Sequence, residues 1–81
     1  MGYGPARPAR RRVPTVVVHL ATDDGDVIFR ARWKERAIDL QRRIVYRLRL
    51  GMPLWFEDDL GRDLCFKPER VWRAVVAEQP L

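Results

Sequence analysis

The chain reads as a small α+β domain: an antiparallel sheet of four to five strands with one covering helix, in the order β-β-α-β-β-β. Three observations carry that expectation. Two pairs of short runs rich in β-branched and aromatic residues each bracket an Asp/Gly turn. One amphipathic stretch lies between the pairs, and a valine-rich run closes the chain.

The first pair is Thr15 to Thr22 (TVVVHLAT) and Val27 to Trp33 (VIFRARW), joined by Asp23-Asp24-Gly25-Asp26. It predicts a β-hairpin. Alternation puts Val16, Val18 and Leu20 on one face with Phe29, Ala31 and Trp33. Val17, His19 and Ala21 share the other face with Ile28, Arg30 and Arg32.

Lys34 to Leu50 predicts the helix. At 100° per residue Ala37, Ile38, Leu40, Ile44, Val45 and Leu48 fall within roughly 160°, a stripe suited to burial. Arg36, Arg43 and Arg47 form one ridge opposite, and Arg42 and Arg49 another, with Asp39 and Tyr46 between. Gly51 is placed to end the helix, and Pro53 forbids its continuation.

Leu54 to Glu57 and Asp63 to Lys67 bracket Asp58-Asp59-Leu60-Gly61 and predict a second hairpin. Pro68 breaks the second of these strands. Val71 to Ala77 (VWRAVVA) reads as a last strand because valine favours the pleated sheet, with a short helix as the alternative. Residues 1–13 (MGYGPARPARRRV) have no apolar period and are expected to be a flexible basic arm, leaving 14–81 as one small domain.

One helix covers only one face of such a sheet, yet simple alternation leaves Val17, Ile28, Trp55 and Trp72 as interface candidates on the far side. Two readings stand. Either those residues meet a second layer, most simply a homodimer, or a bulge shifts the parity of a strand.

Charge is the main functional signal. Fourteen of the sixteen basic residues are arginine; residues 1–12 carry +4, 13–29 carry −3, 30–49 carry +6 and 50–81 carry −2. A one-signed patch attracts polyanions. The first expectation is therefore a non-enzymatic protein that binds nucleic acid. Its expected contacts are Arg7, Arg10, Arg11 and Arg12 in the arm, with Arg30, Arg32, Arg42, Arg43, Arg47 and Arg49 in the domain. The competing reading for the helix arginines is a solvated face on which Asp39 pairs with Arg42 and Arg43.

A second function class is an interaction or assembly module working through the apolar sheet face. A third is a ribonuclease-like toxin using His19 as general base. His19 is the lone histidine, however, and its position mid-strand among valines favours an ordinary strand residue. The acidic runs lack the alternating ligand series of a calcium loop and read as turns. No metal or cofactor is expected. The single cysteine, Cys65, argues for a reducing compartment, and no apolar run or leader suggests a membrane or export, so a cytoplasmic protein is expected.

Overall fold

The computed structural model describes residues 13–78. Strands β1 (Thr15–Thr22), β2 (Gly25–Arg32), β3 (Leu54–Glu57), β4 (Asp63–Phe66) and β5 (Val71–Ala77) surround one helix, α1 (Ala37–Arg49), and a single 3₁₀ turn spans Pro68–Arg70. The domain is α+β and antiparallel, as expected, but the strands divide into two sheets. One has the order β2-β1-β5, and the other pairs β3 with β4.

The division gives the inner face of the three-stranded sheet a second cover beside the helix. On the inner side of the three-stranded sheet, α1 lies against β5 while the β3–β4 hairpin lies against β2. A single backbone bridge, Ala31 to Asp58, joins the hairpin to the end of β2. Val16, Val18 and Leu20 of β1 are buried between these covers, together with Leu40 and Ile44 of α1 and Leu54 and Phe56 of β3. The seam between the sheets is aromatic: the Phe29, Phe56 and Phe66 rings lie with centroids 5.1, 5.8 and 5.9 Å apart.

The first hairpin turns tighter than its acidic run suggests. Thr22 pairs with Gly25, so only Asp23 and Asp24 form the turn and Asp26 belongs to β2. Gly25 has φ +110°, which a side chain rarely adopts. Thr22 Oγ1 accepts from Asp24 N–H (3.1 Å) and donates to the Gly25 carbonyl (2.7 Å). The turn is tied to the start of β5 as well: Asp23 N–H donates to the Arg70 carbonyl, and Trp72 Nε1–H donates to Asp23 Oδ1 at 2.7 Å.

Burial on α1 corrects the expected stripe. Ala37, Leu40 and Ile44 are buried and Leu48 partly so, but Ile38 and Val45 are exposed. The buried arc is rotated by about 40°, at 100° per residue, relative to the apolar stripe. Gln41 lies within the apolar stripe, and its side-chain carbonyl accepts from Val76 N–H at 3.0 Å, which closes part of the open edge of β5. The helix begins at Ala37 rather than Lys34. Its first N–H donates to Glu78 Oε2 at 2.8 Å, a cap supplied from beyond the last strand.

A bulge sits in β5. Leu20 pairs with Ala74 and Ala21 with Arg73, but Thr22 pairs with Val71, so Trp72 is the extra residue. Val71 and Val76 are both buried despite opposite parity, and Trp72 is turned outward at 72% exposure. Of the two readings of the far face, the parity shift therefore occurs in β5. Trp55 is not on that face at all. It projects from the outside of the β3–β4 sheet, opposite Cys65, at 62% exposure. The far face of the three-stranded sheet keeps Val17 and Ile28, with Ile28 64% exposed.

Candidate nucleic-acid interface

The helix arginines stand on the side of α1 away from the sheet. Arg42 and Arg49 lie one above the other at the crest with Tyr46, whose side chain is 62% exposed. Arg43 flanks them toward β3, where its guanidinium lies 5.5 Å from the centre of the Trp33 ring. Arg47 lies on the same flank and donates to the Pro53 carbonyl at 3.5 Å. Among the described residues none of the four has a carboxylate within ion-pairing distance, and Asp39 forms no such pair with Arg42 or Arg43.

Trp33 anchors this flank. It is partly buried against the core, and its indole N–H donates to the Arg36 carbonyl at 2.9 Å. Trp33, Lys34 and Arg43 line an open depression of about 600 Å³ whose rim includes Val13 and Pro14. The chain therefore enters the described domain beside the Arg43–Trp33 stack. Arg7, Arg10, Arg11 and Arg12 lie outside the described residues.

The two strand arginines part company. Arg30 is exposed on the far face of β2. Arg32 turns toward the second hairpin, donating to Glu57 Oε2 (3.3 Å) and to the Asp59 carbonyl (3.2 Å), with its Nε buried and unpaired. That engagement makes Arg32 a tie between β2 and the β3–β4 turn.

Asp58 forms that turn. Its buried carboxylate accepts from the backbone N–H of Leu60 (2.9 Å) and Arg62 (2.8 Å), and from Arg62 Nε (2.8 Å). The Arg62 backbone N–H is the largest influence holding its pKa below the usual carboxylate range. The Arg62 side chain and the Leu60 N–H add to it, and burial opposes them. Because the folded value lies below the unfolded one, Asp58 contributes stability above the ordinary carboxylate pKa, and that contribution is lost as pH falls through the lowered value. Urea unfolding followed from neutral to acid pH should therefore show a smaller acid-side loss for Asp58→Asn than for the parent. An equal loss would remove Asp58 as a source of the acid sensitivity.

His19 projects from the far face of the sheet, where Nε2 lies 3.2 Å from Asp26 Oδ2. The helix arginines are on the opposite side of the sheet and cannot assist chemistry at His19. Arg73 of β5 and Arg30 of β2 share its face instead. The Asp26 and Arg73 neighbours were not foreseen. Placing Asp26 needs the turn confined to Asp23-Asp24, and placing Arg73 needs the bulge at Trp72.

Among the described residues no three of His, Cys, Asp and Glu gather into a metal-holding group, and no helix is long and apolar enough to cross a membrane. Comparison of the chain with protein-family models, curated proteins and solved structures finds no match.

Proposed function

We propose that this protein binds a polyanion, nucleic acid in the first place, with the arginine face of α1 and the basic amino-terminal segment acting together. The observation that carries the reading is the meeting of cation, ring and chain entry on one flank. Arg43 stacks with Trp33, and the chain from residues 1–12 enters at Val13-Pro14 beside that pair. Arg42 and Arg49 extend the surface along the helix crest, and all three arginines are exposed without carboxylate partners among the described residues.

The mechanism is electrostatic capture. Arginine forks match phosphate oxygens, and each neutralised phosphate releases condensed counterions. Trp55 offers an exposed ring on the same flank and Tyr46 one at the helix crest, surfaces on which unpaired bases can stack. Strand β3 and the helix bound a groove lined by Arg43, Arg47 and Trp55, so an unpaired strand lying there meets cation and ring together. Arg32 is left out of this surface because Glu57 and Asp59 already hold it.

The test is fluorescence polarisation of labelled random duplex DNA, single-stranded DNA and RNA at about 50 and about 200 mM salt. Binding with a dissociation constant of about 10⁻⁴–10⁻⁶ M at physiological salt, weakening steeply as salt rises, is the expected result. Arg42→Ala/Arg43→Ala/Arg49→Ala should weaken it further while leaving the far-ultraviolet dichroism unchanged, since all three side chains are exposed. Binding that ignores salt, or ignores the triple variant, would remove the helix face from the interface.

A further inference from the structure

The far face of the three-stranded sheet has no covering layer among the described residues, although its neighbours are ordered in a specific pattern. The central row across the strands reads Ile28, His19, Val75, and the row nearer the first hairpin reads Asp26, Ala21, Arg73. Ile28 and Val75 are exposed. The second row is acidic at one end and basic at the other. Between its charges, Ala21 is too small to fill the space, leaving a hollow of about 270 Å³ bordered by Asp26 and Arg73. Arg73 has no ion-pair partner among the described residues.

We propose that a second copy of the chain covers this face, in a dimer whose two-fold axis lies in the interface along β1. Such an axis carries β2 onto β5 and leaves each residue's position along the strand unchanged. Asp26 then meets the partner's Arg73, and Arg73 meets the partner's Asp26. Ile28 meets Val75 both ways round, and His19 meets its own copy on the axis. The pattern is self-complementary under this one operation, which closes two ion pairs and covers the apolar row at once. Asp26 is already positioned by its contact with His19.

A three-strand face is about 15 Å across at about 4.8 Å per strand. Over about 25 Å of strand its footprint falls short of the roughly 800 Å² per partner of a standard interface. The dimer therefore forms and dissociates with concentration rather than being permanent. Its consequence for nucleic-acid binding is bivalency, because each copy brings its own basic segment.

Sedimentation velocity of the full chain over a wide concentration range reads the proposal directly. Asp26→Arg alone sets like charges against each other in both pairs, and so does Arg73→Asp alone. Each should weaken self-association at least about tenfold. An equimolar mixture of the two single variants should associate nearly as well as the parent, because every facing pair is again opposite in sign. The double variant Asp26→Arg/Arg73→Asp in one chain should do the same. A parent that stays monomeric throughout overturns the proposal, as does a mixture that fails to recover association. Arg30→Asp is the control for the axis: a two-fold running across the strands would set Asp26 against the partner's Arg30. Weakening by Arg30→Asp with no effect of Arg73→Asp would overturn the arrangement along β1.

Discussion

Replacing Phe56 with alanine is expected to cost about 3–5 kcal/mol, the usual range for emptying a buried aromatic site. Phe56 points inward from β3 at 8% exposure and meets the rings of Phe29 and Phe66 edge-on, at 5.1 and 5.9 Å. The contact with Phe29 joins the two sheets, which share one backbone bridge among the described residues. Each aromatic pair adds about 0.5–1.5 kcal/mol beyond buried area. At about 0.05–0.15 kcal/mol per residue, the described domain has a stability of about 3–10 kcal/mol. The loss therefore consumes a third or more of the total, and at the lower end it unfolds the protein outright. Urea unfolding measures it. Phe56→Leu keeps most of the volume and should cost only about 1–2 kcal/mol. A loss below about 1 kcal/mol for the alanine variant would mean that the sheets do not share a core.

Local pattern made most of this fold legible. Thr15–Thr22 and Leu54–Glu57 fall where alternation and turn residues put them, and Val71–Ala77 is a strand as its valines predict. What alternation cannot convey is where a strand breaks its own period. The bulge at Trp72 lets Val71 and Val76 both face inward, so neither simple register of β5 describes it. The split into two sheets is equally silent in any short window, because it depends on Phe29 meeting Phe56 and Phe66 across long separations. The helix stripe held only in part: Ile38 and Val45 are apolar yet exposed, while Gln41, polar and within the same stripe, is held at the strand edge by the Val76 N–H.

The candidate site was legible as charge and not as geometry. Arg42, Arg43 and Arg49 could be placed on an outward helix face from their spacing alone. That Arg43 stacks on Trp33, and that Val13 and Pro14 lie on the same rim, depends on how β2 hands over to α1. Arg32 shows the opposite case: its parity puts it on an exposed face, yet Glu57 and Asp59 draw its guanidinium into the fold.

Removing the four arginines of residues 1–12 is expected to abolish most of the affinity for nucleic acid. Residues 13–78 hold twelve basic and eleven acidic residues, a net charge of only +1, so almost all of the +5 resides in Arg7, Arg10, Arg11 and Arg12. If those four and Arg42, Arg43 and Arg49 each neutralise one duplex phosphate, log K falls by about 6.3 per log unit of salt. Substituting the four with alanine in the full chain leaves a slope of about 2.7. Between about 50 and about 200 mM salt the parent should lose several-thousand-fold in affinity, and the variant only about 40-fold. At low salt the variant should already bind far more weakly, because the steering field of the domain alone is nearly cancelled. Polarisation titrations at four or more salt concentrations give both slopes. Equal slopes for parent and variant would show that the basic segment does not touch phosphate, and the domain's own net charge of +1 would then be too small to sustain the proposed capture.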